Sequence, residues 1–493
     1  MSFEERVAAE LHGWNSDVPV RLDPARVVRR ARRHRNLNVA ASALAAAAVV
    51  VTAVLTTSGI LGRHSVPGLP TGPGPTAQAT PTVTAPTGVT GWHGPGSLAY
   101  VNRGVLHVPD ARTGLDVALS TDGQPIAPTW APDHRHLAYL VLYGAGGADP
   151  LADGPGSVQA PLAGELWTYD TQTHKSKRVN AGPASSPQWS AHGTLGYLAQ
   201  NTAQTDTRLH AWTPAGRDVA LADLGLTGTF RWSPDGTQVA LTALTGSGTN
   251  RTSELSVANA DGSYVQARYR LAGSGLLLAG WWPDARGLMF WIDPQFSGSL
   301  AADGMDLESL PNSSTKPMRL GTTLGYPTDV ATSNLSAAAI VLGDGRFAWT
   351  RQHLLICTLQ QLPCSGPQGL NGLDADPTLS DTDATVYFAH GKDEGDAYDW
   401  DAAHYRAWYD TRQLWQWSIT GGNPTPITRA GTGVAAPQVH GSKVLYVRDN
   451  ALWLIDVSST ALPERVSGPL FAEDPPPSYY GSIGWRDMYA WTG

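Results

Sequence analysis

The stretch GKDEGDAYDWDAAHYRAWYDTRQLWQW, residues 391–417, has the densest mixture of charge and aromatic surface in the chain. Asp393, Glu394, Asp396, Asp399 and Asp401 stand beside Trp400, Tyr405, Trp408 and Tyr409. Aromatic side chains on a loop anchor partners at small entropic cost, and carboxylates select a cationic or hydroxyl-bearing one. Trp400 and Trp408 lie eight apart, so a helix over 399–411 places them near one face with Tyr405 between them. The expected partner site is therefore Trp400, Tyr405 and Trp408 for contact area, with Asp399 and Asp401 for selectivity. The same spacing also suits a stripe that folds back onto its own support. The acids lack the D-x-D-x-D-G order of a calcium loop, so no metal is expected there.

Motifs for bond-breaking chemistry are missing. No G-x-S-x-G nucleophile elbow occurs, no H-E-x-x-H zinc helix, and no glycine-rich phosphate loop ahead of Lys-Ser/Thr. The expectation is a protein that is not an enzyme, without catalytic residues, cofactor or metal. His134 and His136 sit two apart in a turn and read as solvated turn residues. Cys357 and Cys364 are the two cysteines of the chain. In an oxidising compartment such a pair staples a hairpin, and the missing C-x-x-C spacing removes a redox role.

These residues need a scaffold, and FRWSPDGTQVALTAL, 230–244, shows its unit. Ser233-Pro234-Asp235-Gly236 fits a type I turn between two strands. Related stretches begin at Trp92, Trp130, Trp189, Trp281, Ser333, Leu379 and Val439. Most are followed by a further strand with Leu second, such as ELWTYD at 165, QLWQWSITGG at 413 and ALWLIDVSS at 451. Four short strands per unit, with eight starts, describe the blades of a propeller. Packing blades in a ring buries both faces of every sheet. The blade motif is Trp130, Trp189, Trp232, Pro234, Asp235, Gly236 and Trp282, with the tryptophans packed between blades. The C-terminal GSIGWRDMYAWTG, 481–493, is expected to pair with the first blade and latch the ring. If that thin first unit shares a blade with the tail, the count is seven. The fold class is thus all-β, an eight-bladed or seven-bladed propeller preceded by one membrane helix.

The W-S-P-D-G turn and the "LW-x-x-D" strand resemble the TolB-like, WD-repeat-like propeller repeats found in TolB and in the non-catalytic domain of prolyl oligopeptidases. The resemblance covers residues 92–493 as an architecture and implies fold, not function. The expected domain order is a basic tail (1–37), a transmembrane helix (38–62), a Pro/Thr/Gly linker (63–90) and the propeller (91–493). Val39 to Leu61 carries no charge and is long enough for a hydrocarbon core of about 30 Å. Six arginines precede it, which puts the N-terminus in the cytoplasm and the propeller outside. A cleaved signal peptide fits less well, because the charged region is too long and no clear A-x-A site follows the apolar segment.

Eight arginines against five acids make the tail basic, whereas the whole chain carries −8. The large part is acidic and offers no nucleic-acid footprint. Arginine far exceeds lysine, which suggests a high-GC bacterial source. The sequence reads as a monomeric, membrane-tethered, extracytoplasmic module that binds an unknown protein or cell-envelope ligand. The alternative is a sensor that relays ligand binding to a partner of the tail, and a hydrolase is the third reading.

Overall fold

A computed structural model describes the strand Pro81–Thr84 and residues 92–493, apart from 111–115, 120, 143–162, 201–205, 248–249, 295–303, 325–326, 333–337, 344–346, 359–360, 368, 383, 396–401, 473–474 and 476–480. The basic tail and the segment read as a membrane helix lie outside these residues. Among the described residues no helix is long and apolar enough to cross a membrane. One compact unit runs from Ala77 to Gly493. It takes in the strand Pro81–Thr84, which lies inside the stretch read as a spacer and pairs with Asp116–Leu119.

The described strands form antiparallel sheets in chain order: five of four strands, one of five and one of seven. All the sheets but the first are meanders, in which every strand pairs with its sequence neighbours. The second strands are nearly continuous apolar runs, HLAYLVL, GLMFWID and AAIVLG, and are buried almost throughout. A strand of this kind is covered on both faces, as between two neighbouring sheets. Fourth strands such as QARYRLA are exposed along much of their length. Burial therefore falls from the inner to the outer edge of each sheet. This is a propeller-like, all-β arrangement, and the last strand of the chain completes its first sheet. Tyr489–Thr492 pairs antiparallel with Ser97–Tyr100.

The tryptophans at the ends of the first strands connect one sheet to the next. The indole Nε1 of Trp189 donates to Thr129 O at 3.1 Å, Trp232 to Gln188 O at 3.2 Å, and Trp281 to Arg231 O at 3.0 Å. Each acceptor is the carbonyl one residue before the equivalent tryptophan of the preceding unit. Trp130 donates to Ala490 O at 3.3 Å, so the latch strand has the same place in the series, with Trp491 as its tryptophan. Trp491 in turn donates to Pro95 O at 2.7 Å.

The structure corrects one member of the blade motif. Trp281, not Trp282, is the counterpart of Trp232. Trp282 stands where Ser233 stands in the W-S-P-D-G turn, is wholly buried, and donates to Ser309 Oγ within its own sheet at 2.9 Å. The turn itself forms as its residues dictate. Gly236 N donates to Ser233 O at 2.8 Å, and Gly236 adopts φ 70°. Asp235 accepts from Ser233 Oγ at 2.6 Å and from Thr237 N at 3.1 Å, which holds its carboxyl below the ordinary range. Cys357 and Cys364 are joined by a disulfide, which ties the strand Gln352–Thr358 to Gln361–Ser365.

Candidate functional site

The strand Leu373–Leu379 opens a four-stranded sheet, and its first residues bring two carboxylates to one end of that sheet. Asp374 Oδ1 lies 2.8 Å from His390 Nδ1, and its other oxygen accepts from Leu354 N at 2.9 Å. Asp376, at φ 52°, accepts from Ala436 N at 3.1 Å and faces Arg412 Nη1 at 3.6 Å. Arg412 is buried, with its guanidinium 4.6 Å from the centre of the Trp408 ring and 5.3 Å from that of Tyr409. Burial of a cation is costly, and here Asp376 and two ring faces offset the loss of water.

Both rings come from helix α1, Ala402–Tyr409, which the sequence places in the acidic-aromatic stretch. Tyr405 is 7% exposed, Trp408 2% and Tyr409 5%. Tyr405 Oη donates to Gly481 O at 2.9 Å, and Trp408 Nε1 donates to Lys392 O at 2.9 Å. Trp408 also meets Trp349 edge-on, with ring centres 6.2 Å apart. The expected exposed anchors are thus corrected: Tyr405 and Trp408 turn inward instead of standing on an exposed loop. Their spacing is that of a core-facing stripe. Asp399, Trp400 and Asp401 lie outside the described residues.

Asp374, Asp376, Tyr405, Tyr409 and Arg412 line a cavity of about 140 Å³. One wall is α1 and Arg412. Another is the chain between Gly481 and Asp487, which leads through the short 3-10 helix Trp485–Met488 into the latch strand. Leu324, Val341, Ala348 and Ile483 supply an apolar part. Arg486 Nη2 donates to Pro437 O, and its Nε has no acceptor among the described residues. Tyr409 Oη and Arg412 Nε are likewise buried without a partner, and burial raises the Tyr409 phenol well above its ordinary value. The Asp487 carboxyl has no hydrogen-bond or ion-pair partner among the described residues, and desolvation alone pushes it up to about 7. The sequence gives little warning of Asp487, since one acid in a tail of strand character has no motif around it.

The chain matches no protein-family model and no curated protein. Among solved structures it is similar to the acylaminoacyl peptidase of Pyrococcus horikoshii, at 10% identity and a TM-score of 0.41, over 67% of this chain and 51% of that one. It is also similar to the β-propeller domain of the Trilobed protease from Pyrococcus furiosus, at 10% identity and a TM-score of 0.41, over 72% and 100%. TolB from Acinetobacter baumannii aligns at 13% identity and a TM-score of 0.33, over 73% and 77%. The chain spans about half the length of the peptidase it matches. At these identities the likeness is one of fold. Peptidases and a protease propeller domain stand foremost in this set, which corrects the expectation of a free-standing interaction module; the segment read as a tether lies outside the described residues.

Proposed function

We propose that residues 81–493 form a peptidase-related propeller of eight blades that holds the end of a peptide in the cavity beside α1 and breaks no bond itself. The count of eight takes the seven-stranded sheet as two blades sharing the fifteen-residue strand Lys175–Trp189. The five four-stranded sheets and the latched first sheet supply the other six.

The observation that carries the proposal is the composition of the cavity. A peptide end offers one charge, several main-chain donors and acceptors, and a side chain. The cavity offers Asp487 and Arg486, neither with an ionic partner among the described residues, next to the apolar wall of Val341 and Ile483. Pockets that recognise small ligands combine an apolar lining with a few such polar groups. The absence of a nucleophile elbow from the sequence supports a role without bond cleavage.

Titration calorimetry of the full chain with the tripeptide Ala-Ala-Ala tests this reading. Saturable binding is expected, and the peptide is recovered intact after prolonged incubation. The absence of any binding at millimolar peptide would end the proposal, and release of free alanine would end its non-catalytic part.

A further inference from the structure

The inner surface of the cavity is unevenly charged. Asp329, Asp374, Asp376 and Asp487 line it against Arg412 and Arg486. Most of these charges are already engaged. Asp374 is held by His390 and the Leu354 amide, and Asp376 by Arg412 and the Ala436 amide. Arg412 is further sandwiched against Trp408 and Tyr409. Arg486 donates to the Pro437 carbonyl. Asp487 alone of the acids has neither a hydrogen bond nor an ion pair among the described residues. Aromatic rings line the same cavity, with Tyr405 and Tyr409 centred 6.1 Å apart and Tyr409 and Trp485 6.3 Å apart.

Resting on the peptide reading above, we propose that the cavity selects a free primary ammonium group, the amino terminus of a peptide, with the Asp487 carboxylate as its counter-ion and the Tyr405, Tyr409 and Trp485 rings as its wall. An ammonium is attracted by the faces of aromatic rings and by a carboxylate without competing partners. A carboxy terminus is the poorer match. It would meet an acidic majority, while Arg412 already faces Asp376 at 3.6 Å and Arg486 donates to the Pro437 carbonyl.

Binding of this kind is linked to protons. The empty site favours the neutral carboxylic acid, since burial raises Asp487 to about 7. An arriving ammonium favours the carboxylate, so the acid proton passes to solvent as the ion pair forms. The other charged groups facing the cavity are Asp329, on the turn before the strand Val330–Thr332, and those on the Leu373–Leu379 strand and at Arg412 and Arg486. Burial pushes the Asp487 carboxyl up to about 7, so the linkage is assigned to it. Affinity for a fixed ammonium should therefore rise about fivefold from pH 6 to pH 7, with proton uptake by the buffer.

The test compares Ala-Ala-Ala with its N-acetylated and its C-amidated forms on the full chain, by calorimetry in two buffers of different ionisation enthalpy. The free and C-amidated peptides are expected to bind equally well, and acetylation to weaken binding at least tenfold. Asp487→Asn should abolish both the preference and the pH dependence, and its melting curve shows whether the fold is kept. If the acetylated peptide binds as tightly as the free one, or the wild-type affinity is flat between pH 6 and 7, the ammonium assignment falls while the peptide reading stands. If none of the three peptides binds, both fall. The acetylation comparison uses the wild-type protein, so it decides the matter even if the variant does not fold.

Discussion

A single backbone conformation recurs in the turns that follow the ladder tryptophans. The last turn residue has positive φ in four of them: His134 at 55°, Gly193 at 75°, Gly236 at 70° and Ala285 at 56°. Glycine adopts this region without cost, and a side chain there costs about 1–2 kcal/mol. Gly236→Ala should therefore lower stability by about that amount in denaturant titration, all the more because its Cβ would lie 3.0 Å from Ala191 N. Trp232 makes a larger contribution, being 9% exposed and bonded across to Gln188. Trp232→Ala should cost about 3–5 kcal/mol, the range for deleting a buried aromatic. A loss of only a few tenths would mean that the indole does not join the two sheets. This much is legible in the W-S-P-D-G stretch because turn chemistry and an aromatic at a strand end are local signals. The assignment of Trp282 in WWPD is not, since two adjacent tryptophans satisfy the same pattern. Only the neighbouring carbonyl, Arg231 O, distinguishes them.

At the scale of elements, α1 shows what spacing can and cannot say. Its aromatics Tyr405, Trp408 and Tyr409 fall on one face, as spacings of three and four require, but the pattern does not reveal whether that face meets solvent or protein. The Arg412 side chain stacked on Trp408 and Tyr409 decides it. Trp408→Ser should therefore cost several kcal/mol and lower the melting temperature, because it uncovers Arg412 and removes the contact to Trp349. Unchanged melting would contradict the inward packing. The 3-10 helix Trp485–Met488 makes a second element-scale prediction through Asp487. Its acid group is pushed up to about 7 from an ordinary value of 3.8, so the native state holds a proton that the unfolded chain has released. That contribution is fully present below about pH 4 and declines as pH rises towards 7. Asp487→Asn lacks this titration, so its stability relative to wild type should increase from pH 4 to 7 and then level off. A difference that is flat across this window would place the Asp487 carboxyl in water.

The whole molecule depends on its last residues twice over. Gly481–Asp487 walls the cavity, and Tyr489–Thr492 completes the first sheet, 13 residues covering both tasks. The strand character of the C-terminus makes the latch legible in the sequence. The cavity is not legible there, because Asp376, Arg412 and Asp487 are brought together from distant parts of the chain only when the ring closes. Removing residues 489–493 should have two effects at once. The strand Ser97–Asn102 loses its neighbour and presents unpaired backbone groups along an edge, which favours pairing between copies of the chain. The Trp130 indole loses the Ala490 carbonyl, and the buried Tyr489 ring, whose hydroxyl donates to Ala436 O, leaves the region beside the cavity. The truncated protein should thus melt at a lower temperature, form dimers or larger species in light scattering, and bind Ala-Ala-Ala more weakly. The substitution Trp491→Ala tests the same closure without exposing an edge. It removes the bond to Pro95 O and the edge-on contact with Trp92 while keeping the strand hydrogen bonds. Its expected signature is lower melting with the protein still monomeric. If truncation and substitution both leave melting and mass unchanged, the last strand does not close the ring.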